Sequence, residues 1–190
     1  MKDDRFRDEE YFFQRKYIFH RCLDFGSGRG SFTKFLRTRG HKVIPVDIEN
    51  HSEDNSVAPT LYDGHVIPFR DDYFDTSFCL FVLHHLANQS QILKELGRVT
   101  NQYIIVAEDI LELKIDTIIC DLHLHAKEGL WNPSGLKDTF HSDEKWHEIF
   151  KQNKLSLESK YRMPRFKVIS HPIPRMIYVL KNADQDKARM

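Results

Sequence analysis

What this sequence holds little of narrows it first. It has three cysteines, Cys22, Cys79 and Cys120, far apart and each in an apolar stretch. None has the C-x-x-C spacing of a zinc site, and an odd, scattered set predicts reduced, buried thiols rather than a disulfide frame. No apolar run approaches the roughly 20 residues of a membrane span. The densely charged first ten residues show no secretory leader. The expectation is a soluble, intracellular, cytoplasmic protein with no membrane partner and no metal. Net charge is also lacking, with 28 Lys and Arg against 28 Asp and Glu. Phosphate binding normally leaves a basic excess, so nucleic acid is not a favoured partner. The one route to it is the stretch 151–175, which holds seven bases and the single acid Glu158.

What is there suits one packed domain spanning 1–190. Hydrophobic residues make up 41% of the chain, and phenylalanine alone fills 14 positions, enough for a core. Pattern and punctuation predict a short amino-terminal helix within 4–20, a strand at 21–25 and a helix at 31–39. Strands follow at 42–47, 60–62 and 76–82, then a helix at 89–99 and a strand at 103–107. A helix at 112–124 and a loop or lid at 127–141 containing Trp131 come next. Ser142 is a good cap for a helix reaching about residue 153, ahead of two closing strands at 154–161 and 173–180. Strands alternating with helices imply a parallel sheet covered on both faces, with ligands beyond the carboxyl ends of the strands.

The chemistry-bearing signal is Leu23-Asp24-Phe25-Gly26-Ser27-Gly28-Arg29-Gly30, set between a strand and a helix. Glycines there allow a sharp turn and the close approach of a ligand, and the helix start offers free N–H groups. The third glycine sits one place earlier than in the dinucleotide pattern G-x-G-x-x-G, which speaks against a nicotinamide-dependent oxidoreductase. Asp47 ends the second strand, 21 residues after Gly26. An acid there can accept two hydrogen bonds from a ribose diol. Asp63-Gly64 follows the third strand. Further on come Ile67-Pro68-Phe69, Asp72-Tyr73-Phe74-Asp75, Val82-Leu83-His84-His85-Leu86 and Ile92-Leu93-Lys94-Glu95-Leu96-Gly97-Arg98-Val99.

In order and spacing, these pieces between residues 21 and 109 resemble the class I S-adenosylmethionine (SAM)-dependent methyltransferases, in particular a type 11 methyltransferase-like domain. The resemblance implies a Rossmann-like three-layer α/β sandwich. Its seven-stranded sheet would be mostly parallel with an antiparallel carboxyl-terminal hairpin strand. It assigns residues 21–109 to the cofactor half and 110–181 to the acceptor lid and closing strands. The implied cofactor is SAM. The implied cofactor-binding residues are Asp24, Gly26, Ser27, Gly28, Gly30, Asp47, Ile48, Asp63, Gly64, Leu80 and Phe81. Asp24 either orients the glycine turn or meets the methionine amino group. Asp63 lies where the family places an acid near the adenine.

His84 and His85 follow the fourth strand, where one of them, His84 by preference, would act as a general base; the alternative is a structural histidine. Thr100-Asn101-Gln102 replaces the usual Pro-Gly-Gly before the fifth strand and is read as a changed turn. Glu108-Asp109 is placed at the pocket rim, facing a cationic or hydroxyl-bearing acceptor or capping the next helix. The histidine-rich set Asp121, His123, His125, His141 and His147 is not read as a metal site, because alternate residues of a helix do not share a face. The expected activity is methyl transfer to an unidentified acceptor, with a small molecule ahead of RNA or protein. A catalytically silent SAM-binding module is the competing class.

Overall fold

The computed structural model describes residues 13–112, 116, 139–163 and 173–183. Within them the chain forms β1 (Arg21–Phe25), α1 (Ser31–Arg37), β2 (Lys42–Asp47), β3 (Thr60–Leu61), β4 (Phe74–Leu80), α2 (Gln89–Val99), β5 (Thr100–Asp109), α3 (Asp143–Gln152), β6 (Leu155–Arg162) and β7 (Arg175–Asn182). Short 3-10 turns occur at Arg15–Tyr17, Asn55–Val57 and Leu83–His85. The seven strands make one sheet in the order β3-β2-β1-β4-β5-β7-β6. The first five pair in parallel, and β7 runs antiparallel to both β5 and β6. This is the mixed, Rossmann-like sheet expected.

The pleat sends successive side chains to opposite faces, and the sheet is apolar on both. Leu23, Phe25, Val106 and Tyr178 pack with Ile92, Leu93 and Leu96 of α2 and Trp146 and Phe150 of α3. Cys22, Phe78, Ile105, Ala107, Ile177 and Val179 pack on the other face with Phe32 and Leu36 of α1 and with Tyr17. Burial pushes the Cys22 thiol up to about 12, helped by the Asp75 carboxylate. The thiol therefore stays protonated, as expected of a buried structural cysteine.

Several boundaries differ from the sequence expectation. β4 begins at Phe74 because the early start of β5 lets Phe74 pair with Thr100. It stops at Leu80 because Phe81 turns to a left-handed φ of 59°. β5 begins at Thr100 directly from α2, so residues 100–102 are strand rather than turn. Its hydroxyl meets that of Ser77 in the buried sheet. β3 is only two residues long, and α1 ends at Arg37. The expected helix at 112–124 and the lid at 127–141 fall mostly outside the described residues. Trp131, Asp121, His123 and His125 lie there too.

The motif around Glu95 and Arg98 proves to be a brace. Arg98 forks onto both Glu95 oxygens at 2.7 and 2.8 Å. It also donates to the Ile67 and Phe69 carbonyls and to Asp71. Glu95 in turn accepts the Ile67 N–H at 2.9 Å. One ion pair on α2 thus holds the long connection from β3 to β4. Replacing Arg98 by methionine is expected to destabilise the fold by about 2 kcal/mol, since charge-assisted bonds to fixed carbonyls are lost; urea unfolding measures it. The Arg98 hydrogen bond keeps the Glu95 carboxyl below its ordinary range. Its contribution is therefore complete above roughly pH 4.3, the unfolded value, and fades as pH falls through the lower folded value. Glu95→Gln should flatten that acid limb.

Candidate functional site

The turn from β1 to α1 is built backbone first. Gly26, Gly28 and Gly30 have φ of 69°, 52° and 77°, a region open to glycine and uncomfortable for other residues. Gly26 and Ser27 donate to the Val46 carbonyl at 2.8 and 3.3 Å. The turn is thereby pinned to the end of β2. A methyl group on Gly26 would sit 2.5 Å from Val82, and one on Gly30 2.5 Å from Val57. On Gly28 it would meet nothing within 4 Å. Two of the glycines are thus required by packing, whereas Gly28 borders open space.

Around that space the polar groups converge. Asp47 is buried at the end of β2, accepting the Gly28 N–H at 2.7 Å through one oxygen and the Ile48 N–H at 2.8 Å through the other. A carboxylate oxygen has two lone pairs, so each retains acceptor capacity. The Ser27 hydroxyl is buried with no hydrogen-bond partner, an arrangement native proteins rarely leave unanswered. Asp24, buried, accepts the Thr33 hydroxyl at 2.6 Å and so ties β1 to the first turn of α1.

Beyond β2, Ile48 and Val66 expose large apolar surface, 48% and 56% of their area. Gly64 has φ 82°, and a methyl there would lie 3.8 Å from Ile48. Asp63 accepts the His65 and Val66 N–H groups at 2.8 and 2.9 Å. Those backbone bonds hold its carboxyl below the ordinary range.

The strand ends nearer the sheet centre carry two acids that neighbour each other in sequence and part in space. Glu108, fully buried, faces the α2 and α3 side of the sheet. It accepts the Val82 and Leu83 N–H groups at 3.1 and 2.7 Å and pairs with His84 Nδ1 at 2.5 Å. His84 is buried and stacks on Phe140, and its carbonyl accepts the Thr139 hydroxyl. The His85 ring lies 4.1 Å from that of His84. Asp109 faces the α1 side and pairs with Arg175 Nε at 2.9 Å. Leu80 and Phe81 pack on that side as well. Neither acid stands at an open rim as sequence position suggested; each is committed to a partner. Sequence reading also missed Thr33, Glu108 as the clamp of the loop after β4, and Arg175. Each acts through a contact between elements that leaves no local pattern.

His141 and His147 diverge: the former bonds Gln89 at 2.8 Å, the latter reaches Asp143 at 3.3 Å.

The glycines are separable by experiment. Gly26→Ala should lose roughly 1–3 kcal/mol through overpacking against Val82, on top of the left-handed backbone penalty of about 1–2 kcal/mol. Gly28→Ala should lose only the latter. Equal stability of the two variants in thermal unfolding would contradict the packing account.

The chain has known counterparts. Residues 23–103 match the family described as "Methyltransferase domain". The biotin biosynthesis bifunctional protein BioHC of Cellvibrio japonicus is 35% identical over 86 residues, covering 42% of this chain and 17% of that protein. The uncharacterized methyltransferase YcgJ of Bacillus subtilis is 24% identical over 161 residues, covering 76% of this chain and 61% of that protein. The chain thus spans less than two thirds of either relative. The crystal structure of a SAM-dependent methyltransferase from Methanosarcina mazei superposes with a TM-score of 0.68 at 15% identity, covering 90% of this chain and 96% of that one. The motif match and the fold agree: residues 23–103 match a methyltransferase domain, and the sheet that carries them has the fold of SAM-dependent methyltransferases of known structure.

Proposed function

We propose that this protein is an enzyme that binds SAM at the carboxyl ends of β1 and β2 and methylates a small molecule. The observation that carries the reading is the buried Asp47 carboxylate, which binds the Gly28 N–H beside the open space over that glycine and keeps acceptor capacity on both oxygens. These residues fit the cofactor. Asp47 would hold the ribose diol. The turn Gly26–Gly30, with Ser27 and Asp24, would hold the methionine end. Ile48, Asp63 and Gly64 would receive the adenine, and Leu80 and Phe81 would line the path between. When bound, SAM supplies a methyl group already activated on a positively charged sulfonium. The protein is then required mainly to position the acceptor and exclude water.

The small-molecule preference rests on charge. Two bases of the 151–175 stretch are held in ion pairs near the surface: Lys160 with Asp143 at 2.6 Å and Arg162 with Glu112 at 2.7 Å. Paired bases give a polyanion such as RNA little net attraction.

His84 and His85 remain the candidates for an acceptor base. The contacts of His84 with Glu108, Thr139 and Phe140 support a positioning role for it instead, since they fix the loop behind Phe81. His84→Ala is then expected to lower Tm and leave turnover per folded molecule within twofold. A fall in kcat of about 10²–10⁴ would assign it as the base.

Calorimetric titration with SAM and, separately, NAD tests the cofactor. Tight binding of SAM alone is expected. Asp47→Ala should weaken it by about 1.5–3 kcal/mol, or roughly 10- to 150-fold, the range for a lost charge-assisted acceptor. Gly28→Val should abolish it by filling the open space. Release of S-adenosylhomocysteine from labelled SAM in fractionated extract tests the enzyme; binding with no turnover in any fraction would mark a silent module.

A further inference from the structure

Resting on that reading, we infer that Arg175 recognises an anionic group, a carboxylate or a phosphate, on the methyl acceptor. β7 enters the sheet antiparallel, so its first residue, rather than its last, reaches the edge where β4 and β5 end. Arg175 pairs in register with Asp109 there. Alternation along β7 puts it on the face of Ile177 and Val179, the same face as α1, Leu80 and Phe81. Asp24 and Asp47 share that face, since Leu23, Phe25 and Val46 point to the other. Arg175 therefore stands on the cofactor's side of the sheet and beyond it, where an acceptor must lie to be reached in line. His84 and Glu108 stand on the opposite face.

The guanidinium is held without being saturated. Asp109 takes Nε at 2.9 Å, and the Phe81 ring lies beneath the plane at 4.7 Å from the central carbon. Its side chain is only 17% exposed. Nη1 and Nη2 make no hydrogen bond or ion pair among the described residues, yet they are not sealed from solvent. A guanidinium has five N–H donors, and one pairing leaves four, arranged as a fork that matches the two oxygens of an anion. Clamping by a carboxylate on one side and a ring below fixes the fork's direction before any ligand arrives, which lowers the ordering cost of binding. The Asp109–Arg175 pair also reverses the charge expected at this rim, because the acid is spent on a protein partner and the base is what remains available.

The test follows the arginine side-chain NMR signals of the full chain during titration with benzoate and with inorganic phosphate, with and without S-adenosylhomocysteine. Saturable shifts of the Arg175 signals by either anion are expected in the parent. Binding should weaken at least tenfold in Arg175→Met and partly return in Arg175→Lys, which restores charge without the planar fork. S-adenosylhomocysteine affinity should stay within twofold in both variants. Anion binding that is absent in the parent, or undiminished in Arg175→Met, overturns the proposal. So does a loss of S-adenosylhomocysteine binding in Arg175→Met, which would give the guanidinium to the cofactor. If Arg175→Met fails to fold, the parent titration and Arg175→Lys still decide. Failure of the parent to bind S-adenosylhomocysteine would sink the methyltransferase reading alone, and the cofactor-free anion titration would remain readable.

Discussion

The carboxyl edge of this sheet depends on a turn in which three alternate residues hold left-handed backbone angles. The turn satisfies its own N–H groups on the neighbouring strand: Val46 accepts two of them and the Asp47 carboxylate a third. The side chains of Val82 and Val57 close over Gly26 and Gly30. Strand β2 is thus both the wall of the site and the scaffold of the loop that faces it. In the proposed reading, a change to Asp47 would act on the ligand directly and on the loop through the Gly28 N–H.

A second constraint is the pleat of β5. Glu108 and Asp109 are adjacent, equally acidic and both buried, and the sheet sends them to opposite layers. Glu108 satisfies the start of the loop after β4 and the first histidine of the pair. Asp109 orients a cation arriving from β7. A buried carboxylate needs a partner to be tolerable, and the fold supplies a different one on each side. The two halves of the edge are in this way kept chemically distinct one residue apart.

Much of this was legible from the residues. The glycine turn could be read because repeated left-handed angles leave almost no choice but glycine, and α2 because its apolar residues recur at helical spacing. The end of β4 was misplaced because Phe81 adopts the same left-handed angle, and phenylalanine gives no hint of it. The start of β5 was misplaced because a helix passing straight into a strand leaves no turn residue to mark the boundary. Glu95 and Arg98 were visible as parts of a motif, though their brace on Ile67, Phe69 and Asp71 joins residues up to 31 positions apart. Glu108 and Asp109 looked like one rim feature because the strand was expected to stop at residue 107. Arg175 carried no signal, because its place follows only from the antiparallel entry of β7.

That entry has a consequence for how such a chain can diversify. A parallel strand reaches the working edge only with its last residues, so its cofactor-facing side chains are locked to the register of everything before them. β7 reaches the edge with its first residue, and its remaining ladder with β5 runs away from the site. If Arg175 recognises the acceptor as proposed, changes in the chain just before it would reshape what the protein accepts without slipping the ladder that holds the sheet together. Turnover of preference and conservation of architecture are decoupled by strand direction alone.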